Sequence, residues 1–212
     1  MSGHDDFAFE PVPGLPERLP PGEEMLWQGR PDAGALAREA YGIRWIAGYF
    51  ALIVLWRATV GYGDAGFAGA LAYGLPYVGL AALGCGLVYL LALAQSRATI
   101  YTITSSRVVM RIGAALTVTF NFPFVQIAAA QLDDRGATGT IALQTKGETR
   151  ISFLILWPHV RPWRVARTQP ALRCIPDAAA VARLLADAAE TRMARPVLTR
   201  DPAGAGDLVA AE

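Results

Sequence analysis

Residues 65–96 carry no charged side chain, a run of thirty-two positions. That exceeds the ~20 residues a helix needs to cross a bilayer and falls short of the ~40 plus a turn that two spans need. The pattern predicts one span over about 72–95, preceded by a lead-in of small residues. A second apolar stretch lies just upstream, from Trp45 to Val60, interrupted only by Arg57. An arginine at mid-bilayer costs about 2.5–3.5 kcal/mol on insertion scales. Near a helix end it snorkels to the headgroups instead. A helix over about 43–62 places Arg57 near its far end, so the two stretches read as a helical hairpin.

From Ala98 the periodicity changes. Thr99 to Thr104 is rich in β-branched residues, as strands are, and Ser105-Ser106 reads as a turn. Arg107 to Ile112 reads as a second strand. Ala114 to Asn121 alternates Leu116, Val118 and Phe120 with polar residues, the mark of a half-buried strand, with Phe122-Pro123 as its breaker. An apolar segment from Phe124 to Leu132 ends at an Asp133–Gly136 turn. Thr138 to Thr145 and Glu148 to Leu156 read as a hairpin closed at Lys146-Gly147. After a loop holding Pro158, Pro162 and Pro170, Asp177 is placed to cap a helix. Val181, Leu184, Leu185, Ala188 and Ala189 share one face of it, and Arg192 and Arg195 suit its C-terminal end.

Antiparallel strands followed by one amphipathic helix give the plan of a pleckstrin-homology-like (PH-like) domain. The fold class is thus a membrane α-helical hairpin plus an α+β PH-like barrel or sandwich. The expected organisation is an acidic, proline-rich arm over 1–31, an amphipathic lead-in with the hairpin over 32–97, the PH-like domain over 98–195, and a disordered tail over 196–212. Phe7, Phe9, Leu15, Leu19, Leu26 and Trp27 give the arm apolar side chains with which to dock along a surface, a floppy linker being the equal alternative. The lead-in from Asp32 to Glu39 is expected to lie on the membrane.

Charge changes the picture through its placement. The formal net charge is only +1, which gives no global signal for nucleic acid or acidic substrates. Arg30, Arg38 and Arg44 precede the first apolar stretch, and Arg97, Arg107 and Arg111 follow the second, with no arginine in GYGDAGFAG between them. The positive-inside rule puts both termini in the cytoplasm. The acidic N-terminus has no apolar run beside a basic region and does not read as a signal peptide. Cys85 and Cys174 lie in different phases, so no mutual disulfide is expected.

Candidate chemistry is sparse. Gly61-x-Gly63-x-x-Gly66 matches a dinucleotide fingerprint by letters alone; it follows a membrane helix rather than a strand and reads as a flexible turn. No HExxH, P-loop, CxxC or catalytic carboxylate pair is present, so no catalytic residue and no metal site is assigned. Gly79, Ala82 and Gly86 lie where small residues let helices approach closely, against the chain's own first helix or another protein's. Trp157-Pro158-His159-Val160-Arg161-Pro162-Trp163-Arg164 is the densest cluster of unusual residues. Tryptophan and arginine dominate interfaces and also suit the membrane boundary. Protein docking, headgroup contact and a cap on the barrel are the three readings, docking slightly favoured. The candidate partner-binding residues are Trp157, His159, Arg161, Trp163 and Arg164, with Phe7, Phe9 and Trp27 of the arm. His159 reads as a hydrogen-bonding or interface residue before it reads as a ligand for a magnesium porphyrin.

Trp27-Gln28-Gly29-Arg30-Pro31 before a membrane hairpin, then Tyr101-Thr102-Ile103-Thr104 and Arg107-Val108-Val109, resembles membrane-anchored bacterial PH-domain families. More narrowly, DDFAFEPVPGLPE, LPPGEEMLWQGRPD, the LWR at Leu55 to Arg57, YTITSSRVVMRIG and LWPHVRPWR are similar to the photosynthetic complex assembly protein family PuhB of purple phototrophic bacteria. The resemblance spans Asp5 to about Ala189. It implies a non-enzymatic assembly factor that acts as a homodimer in the bacterial inner (intracytoplasmic photosynthetic) membrane. The implied partners are reaction-centre and light-harvesting 1 subunits and membrane lipids. No cofactor is implied beyond a transient bacteriochlorophyll contact. The alternative is a lipid-binding, membrane-anchored PH-like scaffold with no photosynthetic client.

Overall fold

A computed structural model describes residues 14–194 apart from positions 16, 115, 147–150, 163, 165 and 166. Phe7, Phe9, Trp163 and the tail expected to be disordered at 196–212 lie outside the described residues.

Strands β1 (Met25–Gly29), β2 (Ile100–Thr104), β3 (Arg107–Ile112) and β4 (Val118–Pro123) form an antiparallel sheet in that order. Strands β5 (Ile127–Asp134), β6 (Thr138–Thr145) and β7 (Ala171–Pro176) form a second antiparallel sheet. Helices α1 (Ala33–Glu39) and α2 (Ile43–Ala98) lie between β1 and β2 in sequence. The one-turn helix α3 (Phe153–Leu156) precedes β7, and α4 (Ala178–Ala194) follows it. The core joins both sheets and α4: Tyr101, Ile103 and Met110 from the first sheet, Ile141, Leu143 and Leu172 from the second, Val181 and Leu185 from the helix. This is the expected PH-like arrangement.

The sheet begins earlier than the sequence suggests. Met25–Gly29 lies inside the predicted arm, yet it pairs with β2, Trp27 opposite Ile103 and Gly29 opposite Tyr101. The PH-like domain is therefore interrupted in sequence, with α1 and α2 inserted between its first two strands. Upstream, Leu15 is buried, and a Cβ at Gly14 would overlap Ile100, so part of the arm docks on the sheet.

Three strand expectations need correction. Phe122-Pro123 does not break β4: Phe122 pairs with Val108 and Pro123 with Arg107, the proline ending an edge strand where its missing N–H costs little. The expected strand over Glu148–Leu156 is not formed at its C-terminal end, which is α3 instead. Strand β6 already has β5 on one side and β7 on the other, so it has no free edge to offer. Strand β7 itself lies in what reads as the end of a proline-rich loop.

The apolar region is one helical stretch, α2, that leaves helical geometry only at Ala65 (φ −143°, ψ 25°) and Gly66 (φ 62°, ψ −144°). The Gly66 conformation is one that essentially only glycine adopts. The chain doubles back there. Gly61 and Gly69 touch backbone to backbone, so a Cβ on either would overlap the other's carbonyl. Farther down, Gly74 faces Ala58 and Val54, and Gly84 faces Phe50. The arms are thus 43–64 and 67–98. The second starts before the predicted 72, and most of the glycine-rich turn is helix rather than loop. Arg57 is held between the arms, its guanidinium over the rings of Tyr73 and Tyr77 at 5.1 and 5.7 Å.

Helix α1 is capped by Asp32, whose side chain accepts from the Ala35 amide at 2.6 Å. Its apolar face does not lie on a membrane. Ala35, Leu36 and Ala37 pack against Ala92 of α2 and Cys174 of β7. A bulge at Arg173–Cys174 makes this seat: two residues of β7 answer Thr140 alone, and Cys174 adopts φ 52°. The Cys174 carbonyl then accepts from the Asp32 amide at 2.7 Å. Burial, followed by the charge of Glu39, pushes the Cys174 thiol up to about 12.

Candidate interaction surface

Two surfaces carry the candidate residues: the outside of the α2 hairpin and the loop after α3. On the hairpin, Gly61, Gly69, Gly74 and Gly84 mark the face used between the arms. Gly79, Ala82 and Gly86 are exposed, and no atom lies within 4 Å of a Cβ built on Gly79 or Gly86. The predicted small-residue face is thus a separate one, turned away from the first arm. Around it the hairpin exposes large apolar side chains along its length, among them Leu52, Leu55, Leu75, Leu83, Leu87 and Leu90. The stretch is long and apolar enough to cross a membrane. Its exposed aromatic residues are Trp45, Tyr49 and Tyr89 in the half nearer the PH-like domain and Trp56, Tyr62, Phe67 and Tyr73 in the half nearer the turn.

The loop divides its predicted residues between inside and outside. His159 is fully buried, which removes it from any partner surface. Its Nδ1 lies 2.6 Å from the Tyr101 hydroxyl and its Nε2 3.0 Å from Thr99 Oγ1. The Arg173 amide donates to the same tyrosine oxygen at 3.3 Å. One tautomer satisfies all three groups: Tyr101 donates to Nδ1, and Nε2–H donates to Thr99. Burial first, then the Arg173 guanidinium, holds the His159 pKa down at about 3, so the ring is neutral. The side chain is a structural tie rather than a docking group. Both ring nitrogens are engaged, leaving none for a porphyrin metal.

Arg161 is half-buried and bonds within the chain. Its guanidinium donates to Gln131 of β5 and to Gln169 Oε1, the latter at 3.2 Å. Its amide donates to the Gln169 carbonyl at 2.9 Å. Trp157 remains at the surface, its ring meeting Tyr41 edge-on with centroids 5.0 Å apart. Arg164 is exposed. Trp27 belongs to the domain's packing: it lies against the core cluster and covers Gly29, where a Cβ would overlap its ring. Of the predicted partner-binding residues that are described, only Trp157 and Arg164 lie free at the surface. A groove of about 570 Å³ between α4 and the start of β1, lined by Glu24, Leu26, Arg183 and Asp187 among others, involves none of them.

Reading residue types alone missed what positions the loop: Thr99, Tyr101 and Arg173. Tyr101 and Thr99 sit in a strand pattern, and nothing local marks them as partners of a histidine 58 and 60 residues away.

Two sheets closed by a C-terminal helix define a PH-like domain, with an apolar hairpin long enough to cross a membrane inserted after the first strand. The chain belongs to the bacterial PH domain family, whose profile matches residues 42–189. A Rhodobacter capsulatus protein described as an uncharacterized 23.7 kDa protein in the puhA 5′ region is 47% identical over 215 residues, covering all of both chains. Among solved structures, a DUF1696 family protein with a pleckstrin-homology domain from Shewanella loihica is similar over 43% of this chain and 71% of that one. Its identity is 9% and its TM-score 0.30.

Proposed function

We propose that this chain is a non-catalytic assembly factor for the photosynthetic reaction centre–light-harvesting 1 complex. In this reading the two arms of α2 each cross the inner membrane, both termini are cytoplasmic, and the factor works as a homodimer without a cofactor of its own. The observation that carries the proposal is the free hairpin face. Gly79, Ala82 and Gly86 are open to solvent or lipid while the internal contact uses other glycines. In lipid, helices associate through close packing at such small residues rather than through hydrophobic burial. A face of this kind suits a transmembrane client that must later be released. The 47% identical relative lies beside puhA, a location that ties it to photosynthesis genes and supports this choice of client.

The spacing of the aromatic residues supports two crossings. From Trp45 to Tyr62 the helix rises about 26 Å at 1.5 Å per residue, near the ~30 Å of a bilayer core. Aromatic belts at both ends are what a spanning helix carries.

The test is a mild-detergent pulldown of the tagged full chain from phototrophically grown membranes, with peptide identification. Reaction-centre or antenna polypeptides are expected, and Gly79→Leu with Gly86→Leu should reduce them. A preparation holding only this protein and lipid, with nothing captured by crosslinking before lysis, would replace the proposal with the lipid-binding scaffold.

A further inference from the structure

Helix α3 points two large side chains away from the protein: Leu154 is 83% exposed and Ile155 55%. Trp157, which follows, is 42% exposed. The other two residues of α3 hold it down, Leu156 buried in the core and Phe153 packed against it. We propose that Leu154, Ile155 and Trp157 form a wedge that enters the headgroup–acyl boundary beside the hairpin and seats the PH-like domain on the bilayer surface. The inference rests on the reading that α2 crosses the membrane.

The position of the segment argues for lipid as the occupant. Trp157 meets Tyr41, two residues before α2 begins at Ile43. His159 bonds to Thr99, the residue that ends α2. The loop is therefore tied to both the entrance and the exit of the apolar hairpin. At that same level Trp45, 85% exposed, marks where the first arm meets its surroundings. An apolar patch continuous with a membrane helix meets the same lipid. The flanking charges agree. Arg44 at the start of α2 and Arg164 and Arg167 in the loop are exposed, as cations are that face anionic headgroups. A tryptophan between apolar tips and arginines is the arrangement favoured at the membrane–water boundary.

The experiment uses the full chain in vesicles of phosphatidylcholine and phosphatidylglycerol. Cys85→Ser and Cys174→Ala remove the native thiols, and a nitroxide is attached at Leu154→Cys, at Leu83→Cys in the hairpin, or at Asp134→Cys on β5. Collisions with oxygen are compared with collisions with a water-soluble nickel chelate. The expected result is a lipid signature at 83 and 154 and a water signature at 134. Lipid at 83 with water at 154 overturns the wedge and leaves the membrane reading standing. Water at 83 overturns both. Because replacing the buried Cys174 can disturb the fold, a photoreactive benzoylphenylalanine at position 154 in the otherwise natural chain gives a second readout. A phospholipid adduct supports the wedge, and an adduct to protein alone overturns it.

Discussion

A neutral His159 is the condition for the bonds that join Thr99, Tyr101 and the loop. Its folded pKa of about 3 lies below the ordinary 6.5, chiefly through burial. Between those values the unfolded chain takes up the proton and the folded chain does not. The stabilisation is therefore complete above 6.5 and is lost as the pH falls toward 3, with a slope of up to about 1.4 kcal/mol per pH unit. His159→Gln is expected to be less stable at neutral pH yet flatter across that window, as read by denaturant unfolding at several pH values. An unchanged slope would remove His159 as its source. Arg161 is a second residue that the structure ties to other parts of the chain. Gln131 is exposed and regains a water when Arg161→Ala removes its donor, whereas Gln169 is buried, so a stability loss of about 0.5–1.5 kcal/mol is expected. Client recovery should change only in proportion to folded protein, as a pulldown normalised to folded factor would show. The sequence allowed a hydrogen-bonding His159 and a loop that caps the barrel, but it named neither the partners nor the burial. A side chain's burial depends on what packs over it, and for His159 that is β2, some sixty residues earlier in the chain.

Within α2, glycines of the same composition have different tasks. At Gly61 and Gly69 the backbones touch, so Gly69→Ala forces the arms apart; overpacking of this kind costs about 1–3 kcal/mol. At Gly79 an added methyl meets nothing. Gly69→Ala is therefore expected to lower the thermal unfolding temperature in detergent and Gly79→Ala to leave it unchanged. Equal effects would show that the break at Ala65–Gly66 does not depend on close backbone contact. The sequence announced the apolar stretch, the small-residue face and α4, because long periodic patterns outweigh local detail. It announced β2, β3 and β6 for the same reason, as β-branched runs between turns. It was silent on β7, whose Arg173 and Cys174 belong to a bulge defined only by its partner Thr140. It misplaced the strand after Lys146, because a local pattern cannot tell whether a neighbouring edge is already occupied.

At the scale of the whole molecule, the decisive feature is that the PH-like domain is not contiguous. Strand β1 and helix α1 precede the hairpin, and each joins the domain through contacts made with residues after it. Gln28 donates to Thr102 at 3.0 Å, and Glu23 receives both Arg107 at 2.9 Å and Thr104 at 2.6 Å. Ser96 donates to the Pro31 carbonyl at 2.5 Å, which fixes the chain on both sides of α2 to one point. Removing everything before residue 98 would expose the edge of β2 and the apolar seat made by Cys174. It would also uncover the part of the core that Trp27 covers. An excised 98–194 fragment is expected to lack a cooperative thermal transition by circular dichroism. Residues 14–41 joined to 90–194 through a short Gly/Ser linker should regain one, since that keeps Ala92 and Ser96, which meet α1 and Pro31. The two fragments differ in the pieces that precede the hairpin and in the end of α2 on which those pieces rest, so the comparison isolates that joint contribution. A cooperative 98–194 fragment would mean that β1 is an accessory edge. Failure of the rejoined fragment alongside it would mean that the hairpin itself is needed to hold the domain together. In the arrangement observed, the anchor is an insertion within the domain rather than a leader attached to it. One end of the hairpin thus leads back through α1 to β1 and the other leads directly into β2, two strands that pair with each other.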